Sequence, residues 1–244
     1  MRRGLAPLAA ALMLSACGPA IVPRAATDRA IAAAYRSPGA ERPVLDAGSL
    51  VVTRAAWSAA VAVAHRQRSR WRSFVHYPGS RGFALAETMQ PEVRHTGAAT
   101  AGLARLLGTA AILRAARGLP GLPDAAGRLR LVAVLRRQPL PAGEASLAHR
   151  MGPAFWSTYI PDRLRRQLAL RALRTHDGGG PALGTAVAAA VRSVSVRVLD
   201  GTWVRGASIG QARTYAADLW RARGLPGVNA AARGRRAQRP LPPF

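Results

Sequence analysis

The chain contains no lysine, and its 36 strongly basic residues are all arginine. A phosphate-binding loop of the Gly-x-x-x-x-Gly-Lys type requires a lysine, so nucleotide-driven enzymes of that class are excluded. The single cysteine, Cys17, excludes an internal disulfide. Aromatic residues make up only 5% of the chain and hydrophobic residues 49%, many of them alanine. We therefore expect a helical core in which each buried position contributes little apolar area.

Acidic residues are also few, at 11 against 36 arginines, which leaves a formal net charge of +25. Such an excess attracts anionic lipid headgroups, acidic glycans or nucleic acid. Two alternatives explain the same composition. GC-rich DNA favours arginine and alanine codons, and it also contains long open frames that are never expressed.

The amino terminus has the pattern of an export signal. Residues 1–3 carry two arginines, and residues 5–14 form an apolar stretch that is long enough for a secretion signal but too short to span a bilayer. The stretch ends in Leu14-Ser15-Ala16-Cys17-Gly18. This sequence resembles the lipobox of bacterial lipoproteins, a small-residue cleavage site followed by an obligatory cysteine.

The resemblance implies cleavage between Ala16 and Cys17 and attachment of fatty acids such as palmitate at Cys17. Two or three acyl chains anchor a protein stably, whereas one is marginal. The expected location is the cell envelope and, in a Gram-negative host, the periplasmic face of the outer membrane, because Gly18 rather than aspartate follows the cysteine. A chance cysteine, or an ordinary signal peptide cut at another site, remains the alternative.

The pattern of prolines, glycines and apolar residues divides the chain into four segments. Residues 1–16 are the signal peptide, 17–26 a lipidated tether, 27–223 a single α+β domain and 224–244 a disordered, basic, proline-rich tail. The domain is expected to be predominantly helical with a small antiparallel sheet. The predicted helices cover residues 28–36, 53–72, 83–89, 98–117, 162–174 and 208–224, and Thr27, Thr53 and Ser208 are the predicted N-caps of the first, second and last of them. The predicted strands are 50–52, for which a helix-start contact is the alternative, 128–136, and a hairpin over 193–205 that turns at Asp200-Gly201.

A basic cluster with one indole occupies the end of the second predicted helix. Its members are Arg66, Arg68, Arg70, Trp71 and Arg72. Guanidinium groups beside a tryptophan suit anionic headgroups or phosphates at a membrane surface, and this cluster is predicted to hold the tethered domain there. The alternative is a solvated basic face.

Glu87 is the one candidate for catalysis that a resemblance suggests. The order Glu87-Thr88, then Gly97-Ala98, Gly102-Leu103 and 108–110, resembles lytic transglycosylases. The resemblance implies that Glu87 acts as general acid on peptidoglycan. It covers about 25 residues; Thr88 replaces the usual serine, and Ala104-Arg105 replaces the usual Met-Gln. The alternative is a surface carboxylate.

Other chemistry is only weakly indicated. The five histidines are not spaced as zinc ligands, and no metal or cofactor is expected. His176-Asp177 with Ser157 or Ser208 would make a hydrolase triad, but no Gly-x-Ser-x-Gly turn presents a nucleophile. We therefore expect a non-enzymatic envelope protein that binds membrane lipid, lipopolysaccharide or peptidoglycan, with no specific nucleic-acid partner.

Overall fold

The computed structural model describes residues 22–75, 97–177 and 180–224. It confirms the α+β class, because the described chain is mostly helical with one three-stranded antiparallel sheet. The elements, in chain order, are α1 Arg24–Arg36, β1 Pro43–Asp46, β2 Val51–Thr53, α2 Arg54–Val75, α3 Ala98–Ala115, α4 Ala125–Arg136, α5 Ala142–Met151, a π-helical turn Phe155–Tyr159, α6 Ile160–His176, α7 Gly180–Arg192, β3 Arg197–Val198, α8 Gly201–Val204 and α9 Ile209–Gly224.

The sheet has β1 at its centre, between β2 and β3. Leu45 of β1 lies opposite Val52 on one side and Val198 on the other. The predicted hairpin over 193–205 is therefore wrong. The Asp-Gly pair does not form a turn between two strands, because Asp200 caps α8 by accepting the backbone N–H of Thr202. β3 pairs instead with a strand about 150 residues earlier, which no local pattern indicates.

The predicted strand at 128–136 is also wrong, because these residues lie in the helix α4. Asp124 caps this helix by accepting the N–H of Gly127 at 2.7 Å. Leucine, alanine and arginine are good helix formers, and with this cap they outweigh the apparent alternation. The alternation misled because apolar residues lie on both sides of the helix: Val132 is buried while Leu129 is exposed.

Most of the other predicted helices are confirmed with small shifts. Thr53 caps α2 by accepting the N–H of Ala56, and Ser208 accepts the N–H of Gln211 at the start of α9. α1 begins at Arg24, so Thr27 lies inside it and not at its cap. The strand at 50–52 is present as β2. β1, α5, the π-helical turn and α7 were not predicted.

The core consists of two clusters of buried side chains. The main cluster surrounds α3, of which eleven of eighteen residues are buried, as expected of a central helix. The second cluster is smaller and gathers Phe155, Met151 and Ile31 with neighbours from α4, α5 and α6. α2 joins the two, since Trp57 belongs to the main cluster while Val63 packs against the second.

Two glycines allow α3 to approach its neighbours closely. A Cβ atom added at Gly102 would lie 3.0 Å from the backbone of Val61 in α2, and one at Gly108 would lie 2.9 Å from the indole nitrogen of Trp220 in α9. The first of these contacts is with main chain, which cannot rotate away as a side chain can. The distance between α2 and α3 at this crossing therefore depends on glycine.

Several predictions lie outside the described residues. They are the signal peptide, Cys17, the helix at 83–89, Glu87 and the tail beyond residue 224. The domain limits at 27 and 223 also stay a prediction. None of the helices in the described part of the chain combines the length and apolar character needed to cross a membrane.

Candidate functional site

The first described residue is bound to the arginine-rich half of α2. The backbone N–H of Val22 donates to Oγ of Ser69 at 2.9 Å, and that hydroxyl donates to the carbonyl of Arg66 at 2.8 Å. Ser69 is buried, so water competes little for these bonds. Part of the predicted tether, at Val22, therefore lies against the segment that carries the predicted basic cluster.

The two members of the basic cluster whose side chains are described are partly packed, not wholly solvated. Arg66 and Arg68 are half-buried, and Nε of Arg66 is buried with no acceptor among the described residues. Between them, the side-chain oxygen of Gln67 accepts a hydrogen bond from Arg105 of α3 at 3.1 Å. The backbone of Arg70, Trp71 and Arg72 continues α2, but their side chains lie outside the description. The structure thus places the five predicted residues at the same end of α2, and a hydrogen bond joins this end to α3.

A mostly apolar groove of about 490 Å³ lies beside this helix end. Helices α1 and α2, the start of α3 and the short α8 form its walls. Among its lining residues are Val22, Trp57, Val61, His65, Ala98 and Trp203. His65 is the one titratable side chain of this lining, and it is exposed. Its described lining therefore offers apolar contact but no constellation of groups for acid–base chemistry.

An ion pair between an arginine and an aspartate lies at one rim of the groove. Arg54 donates to the carboxylate of Asp200 at 3.1 Å, and its guanidinium carbon lies 5.1 Å from the ring centroid of Trp203. Hydrogen bonding from Thr202, followed by that from Arg54, lowers the pKa of Asp200. The carboxylate is therefore ionised at neutral pH and holds Arg54 over the indole.

The other candidate catalytic residues are not brought together. His176 hydrogen-bonds the adjacent Asp177 at 2.8 Å. Ser157 donates to Pro153 within its own helical turn, and Ser208 is used in the cap of α9. Within residues 22–75, 97–177 and 180–224, no three histidine, cysteine or acidic side chains are close enough to share a metal ion. Glu87 lies outside these ranges, so its role stays a prediction.

The structure also assembles a cluster of arginines that the sequence did not indicate. Arg117, Arg128 and Arg165 line a cleft of about 170 Å³ together with Ser49 and a few apolar side chains. They come from the segment after α3, from α4 and from α6, and are separated by 11 and 37 residues in the chain. Because they share no element, only the tertiary fold could have revealed this cleft, which we call the arginine cleft.

No protein-family model, no curated protein and no solved structure matches this chain. The function of the chain is therefore inferred from the lipobox-like sequence and from the charge and packing of the described residues.

Proposed function

We propose that this protein is a lipid-anchored component of a bacterial cell envelope, without catalytic activity, that uses an arginine surface to bind an anionic envelope partner. The hydrogen bond from Val22 to Ser69 carries the proposal. Cys17 precedes Val22 by five residues, and five extended residues span at most about 17 Å. An anchor at Cys17 therefore keeps the arginine-rich end of α2 near the bilayer.

The local charge supports the same proposal. α2 contains no acidic residue over its whole length, so its arginines have no carboxylate on their own helix. Near an anionic membrane surface each arginine contributes about 1 kcal/mol of attraction, and this attraction decays within a Debye length of about 8 Å at physiological salt. Such attraction is effective only close to the surface, which is where the short tether would hold these residues.

The anchor is tested by metabolic labelling with a fatty acid in a bacterial host. We expect the native chain to incorporate label and to fractionate with membranes, and Cys17→Ala to lose both, because the thiol is the proposed attachment point. Cys17 is the only cysteine of the chain, so label on the native chain that disappears in this variant must be at that residue. A stably produced native chain without label would reject the anchor.

The arginine surface is tested with the full chain carrying Cys17→Ala, so that attached lipid does not contribute. Binding to phosphatidylcholine vesicles with and without phosphatidylglycerol is measured by flotation over a range of salt. The test variant replaces Arg66, Arg68, Arg70 and Arg72 by glutamine. The matched control makes the same change at four exposed arginines elsewhere, Arg150, Arg171, Arg174 and Arg192.

We expect the phosphatidylglycerol-dependent binding to weaken by about fivefold for each α2 arginine that lies against the bilayer, and less for the control, because about 1 kcal/mol per cation corresponds to that factor. The difference should vanish at high salt. Equal losses in the two variants would show that only net charge matters and would remove α2 as the binding surface.

A further inference from the structure

Helix α4 exposes an unusual number of apolar side chains. Leu129, Val134 and Leu131 are 66, 53 and 38% exposed, although α4 has neighbours on its other side through Val132. Of its twelve residues, eight are exposed, and these comprise six apolar residues and two arginines. Apolar exposure of this kind on one helix is typical of a surface that contacts a membrane or another molecule.

The arginine cleft lies at the start of α4, and hydrogen bonds hold two of its guanidinium groups in positions that favour binding of an anion. Arg128 donates one N–H to the carbonyl of Pro123 at 2.8 Å, and Arg165 donates one to the carbonyl of Ser49 at 3.1 Å. These bonds position both guanidinium groups and leave their other donors available. None of the three cleft arginines forms an ion pair with a carboxylate of the described residues.

Few acidic residues are available nearby to neutralise the cleft. Asp124 is next to the cleft in sequence and uses one carboxylate oxygen to cap α4. Asp162, the only acid of α6, forms no ion pair with a cleft arginine. Burial raises the pKa of Asp162, and the charge of Arg165 opposes this by lowering it. Arg130, Arg136 and Arg137 add further positive charge along and beyond α4. A guanidinium group binds phosphate through two parallel hydrogen bonds. The cleft, at about 170 Å³, has room for a phosphate group.

We propose that the arginine cleft and the exposed side of α4 that carries Leu131 and Val134 together bind an anionic phospholipid of a bilayer, with the phosphate in the cleft and these two side chains in the interfacial region. A ligand that is anionic at one end and apolar at the other satisfies both features. The inference rests on the proposed function, whose partner it specifies, but it assigns the contact to a different surface from the arginines of α2.

Two other occupants fit less well. In a symmetric dimer the same patch would face itself, which would bring the arginines of one copy against those of the other. Single-stranded nucleic acid is bound by stacking bases on aromatic side chains, and neither α4 nor the lining of the cleft contains one. A bilayer accepts the long arginine stems in its interface while the charged ends remain in the headgroup layer.

The test uses the full chain carrying Cys17→Ala and the same two kinds of vesicle. The cleft variant replaces Arg117, Arg128 and Arg165 by glutamine, and its control makes the same change at Arg150, Arg174 and Arg192. A second variant, Leu131→Ser with Val134→Ser, removes apolar contact, and its control is Val51→Ser with Leu199→Ser, which are also exposed. Inorganic phosphate is titrated separately with each protein.

We expect the cleft variant to lose about a hundredfold in phosphatidylglycerol-dependent binding, at about fivefold for each arginine, and its control to lose far less. The double serine variant should lose vesicle binding and keep its weak affinity for inorganic phosphate. If the glutamine variant melts at a lower temperature than its control, its weaker binding has a second explanation in lost stability. A variant with lysine at the three cleft positions then tests the site. Lysine retains the charge and removes the forked donors, so weaker binding supports the site and unchanged binding overturns it.

Other outcomes separate this inference from the proposed function. Equal binding by the cleft variant and its control overturns the inference, and a loss confined to the α2 variant then leaves the proposed function standing. Inorganic phosphate that binds the cleft as tightly as vesicles do would indicate a free phosphate ligand and also overturn the inference. A chain without any phosphatidylglycerol-dependent binding would contradict both.

Discussion

Replacing Gly102 by alanine is expected to lower the free energy of unfolding by up to about 2 kcal/mol, because overpacking costs about 1–3 kcal/mol and helix propensity returns about 1 kcal/mol. The added methyl group would lie 2.9 Å from a methyl carbon of Val61 and 3.0 Å from its backbone. α2 would have to move away from α3, and that movement would loosen the main buried cluster.

Gly210 provides the matched control, because it is also helical but exposed, with nothing within 4 Å of the added Cβ. There the same substitution should raise the free energy of unfolding by about 0.5–1 kcal/mol through helix propensity and the lower entropy of the unfolded chain. Denaturant unfolding of the full-length variants measures both. Changes of the same sign would show that the close contact of α2 and α3 is not what Gly102 provides.

Alkaline solution is expected to destabilise the protein through two partly buried tyrosines, Tyr35 and Tyr159. Burial raises the pKa of both Tyr35 and Tyr159, whose rings meet edge to face with centroids 5.8 Å apart. Below pH 10 the folded and unfolded chains both keep these protons, so the stability is fully present. Above it the unfolded chain releases them while the folded chain does not, and the free energy of unfolding falls as the pH rises.

The expected slope above pH 10 is at most about 1.4 kcal/mol per pH unit for each tyrosine. It should be resolvable, because the chain has no lysine and only two other tyrosines and one cysteine. Thermal melting of the full chain between neutral and alkaline pH measures the slope, and absorbance reports tyrosinate formation. Phenylalanine at positions 35 and 159 should flatten the dependence, and a slope that persists in that double variant would assign it to other groups.

The sequence predicted elements where local signals and tertiary contacts agree. The long apolar run of α3 and the caps at Thr53 and Ser208 were sufficient for three helices. Prediction failed where the partner is distant: β3 depends on β1, and Asp200 at the supposed turn is held by Arg54. It failed at α4 because the exposed leucine and valine side chains there hide the helical pattern.

The two candidate surfaces also differ in how far the sequence alone predicts them. The arginines of α2 are neighbours in sequence, so their cluster was evident before the structure. The bond from Val22 to Ser69, which brings the chain start onto that cluster, joins residues 47 positions apart and has no local signature. The arginine cleft is likewise formed by folding, since its members belong to three separate segments.

The arginine cleft has a consequence for how binding there is controlled. The positive charge of a guanidinium group is permanent under the conditions in which cells live. Such groups are also not substrates for the acetylation that neutralises lysine, and the chain has no lysine. A contact made by Arg117, Arg128 and Arg165 has no internal switch, so its release must come from the surroundings, through ionic strength, competing cations or the amount of anionic lipid.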